Sequence, residues 1–318
     1  MLSLTRREFV CNATAAGLAI GAAGPALAHA ADADKPLIVD AHTHFYDPSR
    51  SQGVPWPAKD NKLLYRTVLP SDFLRVAGPH GVSKTIVVEA SPLLEDNQWI
   101  LDLAERETSI VGFVGHLVPG TPDFVAQLKR FAKNSLYRGI RVNGTQLAAG
   151  LDDPNYRRDL AELADHDLEL DVNGGPTLLP AVERLARELS ALRIVINHVA
   201  NLKIDGREPP ADWRAGIESA AKRPQVYCKV SALAENTGAK AGDATRDVDF
   251  YRPVLDALWN AFGEDRLIYG SNWPVSDRGA PYGVVMGIVR EYFGSKGATA
   301  AAKYFSGNAR AAYKWVTR

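Results

Sequence analysis

Cysteine is nearly absent: two residues in 318, Cys11 and Cys228. They describe no disulfide framework, and Cys228 sits inside the apolar run "VYCKVS", where a thiol reads as core rather than as a nucleophile. Charge of one sign is missing too. The chain has 37 Lys and Arg against 37 Asp and Glu, a formal net charge of 0. No basic field is left over to favour nucleic acid or an anionic membrane surface as a partner. There is no low-complexity tract and no block of like charges. No internal apolar run reaches the ~18 residues needed to cross a bilayer. What remains, 46% hydrophobic and 23% charged, is the balance of a globular protein, and the partner to expect is a small-molecule substrate.

The first 30 residues stand apart. "LTRREFVCNATAAGLAIGAAGPALAHA" carries paired arginines at Arg6 and Arg7, then an Ala/Gly-rich stretch to about Ala23. Small residues at Ala26 and Ala28, or Ala28 and Ala30, fit signal-peptidase cleavage. The segment resembles a twin-arginine export signal, which implies a periplasmic protein, free of the membrane once processed. Cys11 replaces the lysine often found in that motif, and it precedes the apolar stretch, which makes it a poor lipidation site. The expected organisation is an export signal over 1–30 and a single domain over 31–318.

From Leu37 onward, short β-branched runs alternate with segments of helical periodicity. Eight runs read as strands: "LIVDAH", "KTIVVEA", "IVGFVGH", "RGIRV", "LELDV", "RIVINH", "QVYCKV" and "RLIYGS". Between them, apolar residues recur at helical spacing, as at Ile100, Leu103 and Ala104, or Leu179, Val182, Leu185 and Leu189. Such alternation implies a parallel sheet with crossover helices. Eight strand–helix units are the arithmetic of one closed (β/α)8 barrel of the TIM type, an α/β fold. The rival, a doubly wound open sheet, would favour a Gly-rich phosphate loop after the first strand, where this chain has "HTHFYD". The aperiodic stretch between Tyr46 and Pro70 reads as a long loop over the barrel mouth. The segment "AAAKYFSGNARAAYKW" reads as closing helices, with Tyr304, Phe305, Tyr313 and Trp315 packed on the barrel.

In such a barrel, chemistry gathers at the C-terminal ends of the strands. Those ends are His42 with His44, Glu89, His116, Arg141, Asp171 with Asn173, His198, Lys229 with Ser231, and Asn272. Four of the seven histidines fall there. His42 and His44 alternate onto one strand face, a common half of a divalent metal site that needs N or O ligands from other strands. A hydrogen-bonded pair orienting a substrate without metal is the alternative. His198 is the natural third member. Glu89 ends an apolar strand, so its carboxylate must be paired or coordinated. It is a ligand, a base, or the partner of an arginine. His116 is similar. Arg141 offers a guanidinium for a substrate carboxylate or a developing oxyanion, or else a salt bridge to Glu89 or Asp171.

Four stretches carry a family resemblance: "VDAHTHF", "IVINHVAN", "VYCKVSAL" and "DRLIYGSNWPVSD". In that order and spacing they resemble the amidohydrolase superfamily, in the branch of L-fuconolactonase-like sugar lactonases and 2-pyrone-4,6-dicarboxylate hydrolase. The resemblance runs from about Leu37 to Trp315. It implies a TIM-like barrel that opens lactones with water, with His42, His44 and His198 as site histidines and Arg141 as a substrate-binding arginine. Members of the branch differ in whether they use a metal. Arg141 sits near the point where other members carry a carboxylated lysine, so a two-metal centre is not expected. One divalent ion, zinc first, on His42, His44, His198 and Glu89 is one expectation, and a metal-free site is the other.

The sequence departs from the branch at Asn272, where the resemblance implies an aspartate that activates water. An amide cannot accept a proton at working pH, and losing a general base costs ~10²–10⁴ in rate. The leading expectation is therefore a hydrolase in which Glu89 or His116 has become the base, Asp171, Asn173 and Arg141 bind substrate, and Asn272 and Trp273 shape the mouth. Isomerisation of a lactone, decarboxylation, and binding of a sugar acid without turnover are the alternatives.

Overall fold

The structure, a computed structural model, describes residues 36–318. The export segment expected over 1–30 lies outside the described residues. Eight strands follow one another: β1 (Ile38–Thr43), β2 (Val82–Val88), β3 (Ile110–Gly115), β4 (Tyr137–Asn143), β5 (Glu169–Asn173), β6 (Arg193–Ile196), β7 (Val226–Val230) and β8 (Leu267–Tyr269). Each pairs in parallel with the next, in chain order. The seam between β1 and the end of β8 is fastened by main-chain bonds just past β8. The Asn272 N–H donates to the His42 carbonyl at 2.9 Å, and the His44 N–H to that of Trp273 at 3.0 Å. Thr43 and Trp273 form a parallel bridge there. This is the expected (β/α)8 barrel.

The helices between strands form for ordinary reasons. In Leu94–Arg106, Glu95 and Asp96 sit in the first turn and Arg106 in the last, the polarity that suits a helix dipole. Its apolar face buries Ile100, Leu101 and Ala104 against the barrel. Leu179–Glu188 does the same with Val182, Leu185 and Ala186. Among the described residues, no helix is long and apolar enough to cross a membrane.

One irregularity positions the site. Val39 and Ala41 of β1 pack inside the barrel with Val111, Val195 and Ile268, above Tyr313 and Trp315. Strict alternation would then turn His42 and His44 outward. Between Asp40 and Thr43, however, β1 uses three steps where β2 uses two, from Thr85 to Val87. That extra residue is a bulge, which reverses the facing of everything after it. Asp40, before the bulge, alternates out of the interior and accepts a bond from the Tyr282 hydroxyl at 3.0 Å, on the surrounding helix Tyr282–Ser295. His42 and His44 turn in.

The chain's end closes the barrel floor. Past the helix Asn308–Tyr313, Val316 N–H donates to the Val111 carbonyl at 2.8 Å. Tyr304, Phe305, Tyr313 and Trp315 are all buried, as expected. The Tyr46–Pro70 loop is pinned by an antiparallel bridge from Tyr46 to Val68. It brings Trp56 to within 5.9 Å of His44, ring centre to ring centre.

Candidate active site

A cavity of ≈ 280 Å³ opens at the C-terminal mouth of the barrel. It is lined by His44, Trp56, Ala90, Arg141, Asn173, His198, Asn272, Val275 and Arg278. Two guanidinium groups and no carboxylate are among these walls, so the cavity favours an anion. Five residues expected from the strand ends are here together: His44, His198, Arg141, Asn173 and Asn272.

His42 lies behind them, fully buried, with its ring 5.0 Å from that of His44 and 4.3 Å from that of His198. Its Nδ1 is 3.1 Å from Lys229 Nζ, which also reaches Asp171 Oδ2 at 2.9 Å and Asn197 Oδ1 at 3.4 Å. Three acceptors around one nitrogen match the three hydrogens of an ammonium group. Burial lowers the pKa of Lys229, and Asp171 opposes that shift. On the far side, Tyr313 OH donates to Asp171 Oδ1 at 2.7 Å. Burial, then the charge of Lys229, hold His42 well below the ordinary histidine value, so its ring is neutral. With Nδ1 accepting from Lys229, its hydrogen sits on Nε2, an atom buried without a partner among the described residues.

His44 is also neutral. Burial, followed by the Arg141 charge, lowers its pKa to about 3. Nδ1 donates to the Val88 carbonyl at 2.9 Å, which leaves the lone pair on Nε2. That nitrogen lies 3.3 Å from Asn272 Oδ1, whose Nδ2 donates to Glu235 Oε1 at 2.8 Å. His198 pairs through Nδ1 with the Ser231 hydroxyl at 2.8 Å, and burial holds it well below the ordinary value as well. The backbone here is strained. Positive φ occurs at His198 (54°), Val199 (50°), Ala200 (56°), Asn201 (44°) and Asn272 (63°). For a β-branched residue such as Val199 this is uncommon and costly, and such strain clusters at functional sites.

Arg141 reaches across to β2. Its Nε donates to Glu89 Oε1 at 2.8 Å and its Nη2 to the Glu89 carbonyl oxygen at 2.7 Å. Glu89 thus fixes the guanidinium, while Arg141 still lines the cavity.

A family model described as amidohydrolase matches residues 39–315. The chain belongs to the amidohydrolase family. It is 34% identical over 247 residues to an L-fucono-1,5-lactonase of Burkholderia ambifaria, covering 77% of this chain and 83% of that one. An L-fucono-1,5-lactonase of Burkholderia multivorans is 28% identical over 267 residues, 82% of this chain and 90% of that one. A solved amidohydrolase of Burkholderia multivorans with bound zinc superposes with a TM-score of 0.80 at 27% identity, over 88% of this chain and 99% of that one.

In this amidohydrolase the expected metal set of His42, His44, His198 and Glu89 does not assemble. Glu89 faces Arg141 and lines a separate, smaller cavity with Phe45, Arg50 and Trp99. His42 has an ammonium at Nδ1 and a hydrogen on Nε2, which leaves no lone pair for a metal ion. Among the described residues, no three His, Cys, Asp or Glu side chains come together to hold one. The residues present therefore do not fit a resident metal.

Three other expectations change place. His116 opens on a different surface depression, with Leu94, Val118 and Phe124, so it does not face the cavity of His44. Trp273 is not at the mouth. Its carbonyl fastens the seam, and its ring packs 5.9 Å from Phe73 as core. Asp171 lies beneath the cavity as the partner of Lys229, while Asn173 stays in the wall and accepts from Asn201 Nδ2 at 3.1 Å. The amidohydrolase site also uses residues that the sequence reading assigned no role: Trp56, Arg278, Glu235, and Lys229 as the residue that fixes His42.

Proposed function

We propose that this amidohydrolase opens a lactone with water: the internal ester of a sugar acid or of another small ring that bears a carboxylate. Similarity to two L-fucono-1,5-lactonases over about four-fifths of the chain supports the reaction class. One observation carries the mechanism. The His44 Nε2 lone pair and Asn272 Oδ1, two acceptors 3.3 Å apart, line the same cavity as the Arg141 guanidinium.

Two adjacent acceptors take both hydrogens of one water molecule and turn its oxygen lone pair toward a bound carbonyl. As the oxygen bonds to the carbonyl carbon, the water proton passes to His44 Nε2. The resulting imidazolium is held between the Val88 carbonyl and Asn272 Oδ1. On collapse the ring C–O bond breaks, and the same proton returns to the departing alkoxide. His198 Nδ1 pairs with the Ser231 hydroxyl; in the tautomer where that hydroxyl donates, His198 presents an Nε2–H to the carbonyl oxygen, where charge develops. Arg141, braced by Glu89, binds the carboxylate of the substrate in two-pronged fashion. The base is thus His44, and neither Glu89 nor His116 is required for that role.

The reaction runs without a resident metal in this reading, on the strength of the His42 tautomer. The paired arginines Arg6 and Arg7, ahead of an Ala/Gly-rich stretch, support export to the periplasm. The test is acid release, followed with a pH indicator, from a panel of aldono-, uronic-acid and muconolactones. It uses protein from about Ala31 onward, with chelator and with added zinc. Equal rates in both conditions are expected. Dependence on zinc would overturn the metal-free mechanism, and silence across the panel would overturn lactone opening. Fractionation of cells carrying Arg6→Lys with Arg7→Lys should leave the protein in the cytoplasm.

A further inference from the structure

Asn272 cannot itself titrate, yet it is hydrogen-bonded to a carboxyl group that can. Glu235 follows β7 on the short turn Glu235–Thr237. Its Oε1 accepts from Asn272 Nδ2 at 2.8 Å, and its Oε2 is buried with no hydrogen-bond partner among the described residues. A carboxyl, an amide and an imidazole thus form one chain from Glu235 through Asn272 to His44 Nε2.

We propose that Glu235 is a positioning residue that sets which face of the Asn272 amide meets His44, and so whether His44 is free to act as the base. This rests on the lactone-opening reading. An ionised Glu235 offers only acceptors, so it draws Nδ2 and leaves Oδ1 beside His44, the arrangement that orients a water and stabilises the imidazolium. A protonated Glu235 donates to Oδ1 instead. The amide then turns over, and Nδ2 donates into the Nε2 lone pair that must receive the water proton.

Burial raises Glu235 to about 7, so this choice is made in the working range. The charged and titratable groups facing it are Asp277 and Arg278 from the turn after β8 and Tyr251 from the helix Val248–Phe262. Those bearing on His44 are Arg141 and Lys229. Arg278 and Asp277 act on Glu235 with opposite sign.

The test is the pH profile of kcat/KM from pH 5 to 9, on a panel lactone that the wild type opens. The wild type should show a limb that rises with pH and levels above about 7. In Glu235→Gln the side chain satisfies either amide orientation, so the limb should vanish. kcat above pH 8 should fall about tenfold with KM little changed, the scale of one misdirected hydrogen bond. Glu235→Asp, which keeps the carboxyl, should retain a limb. It also decides the matter if the glutamine variant fails to fold. A wild-type profile without the limb, or a limb that survives in Glu235→Gln, overturns this inference and leaves lactone opening standing. Absence of turnover on every lactone overturns both.

Discussion

Replacing Lys229 with methionine removes one half of an ion pair whose two side chains are both 0% exposed. The methionine is of similar length, so packing is nearly kept and the loss is electrostatic. Asp171 would retain the Tyr313 hydroxyl at 2.7 Å as a donor. Beside it stands Glu169, fully buried with neither oxygen partnered among the described residues, its carboxyl pushed well above the usual range by burial and then by the Asp171 charge. Without the ammonium, the carboxyl groups of Asp171 and Glu169 lose the cation that is hydrogen-bonded to Asp171. Stranding a buried charge in this way costs about 3–5 kcal/mol, a large part of the 5–15 kcal/mol that a domain typically has. Pairing the change with Asp171→Leu removes both charges and should recover most of the loss. Urea unfolding followed by far-UV circular dichroism measures Lys229→Met, Asp171→Leu and the double variant, with a coupling energy of about 2 kcal/mol or more expected in the cycle. A loss below about 1 kcal/mol in the single variant would refute the buried-pair argument. It would also remove the basis for placing the His42 hydrogen on Nε2.

Arg141→Lys cannot reproduce the two bonds to Glu89 or the planar fork. KM for carboxylate-bearing lactones should rise ~10–100-fold while neutral lactones change little, as steady-state kinetics on both would show. Trp273→Ala should cost about 3–5 kcal/mol of stability as a buried core ring. Trp56→Ala should instead raise KM with little change in the urea midpoint. Glu235 supplies a pH dependence of stability. Its folded pKa is raised from 4.5 to about 7, so the neutral form favours the fold. That contribution is whole below about 4.5 and is lost as pH rises through about 7. Glu235→Gln should therefore gain on the wild type by about 3 kcal/mol between pH 5 and pH 9, read as diverging urea midpoints. Parallel midpoints would refute the shift.

The barrel was legible because each strand is a short β-branched run and each helix has its own period. The His42 and His44 pair was legible because two residues apart means one face. The bulge that turns this pair inward was not, since nothing in "IVDAHT" separates a regular strand from one with an extra residue. Glu89 and Arg141 were each weighed as a possible salt-bridge partner. That they bond to each other depends on the separation of β2 and β4 across the barrel, which a sequence does not contain. Trp273 misled because a large aromatic beside a site residue looks like a wall, whereas its backbone is committed to the seam and its ring to Phe73. Glu235 had no periodicity to mark it. The one signal was a carboxylate among small apolar residues in "SALAENTG" shortly after a strand end.

The bonds from Asn272 to the His42 carbonyl and from His44 to the Trp273 carbonyl join residues 230 and 229 positions apart in the chain. A nascent polypeptide with seven strands in register would already contain His42, His44, Arg141 and His198, yet it would have no reaction centre. The water-holding pair comes into existence at the moment the cylinder shuts. Regain of turnover during refolding should therefore report the last docking event in the barrel.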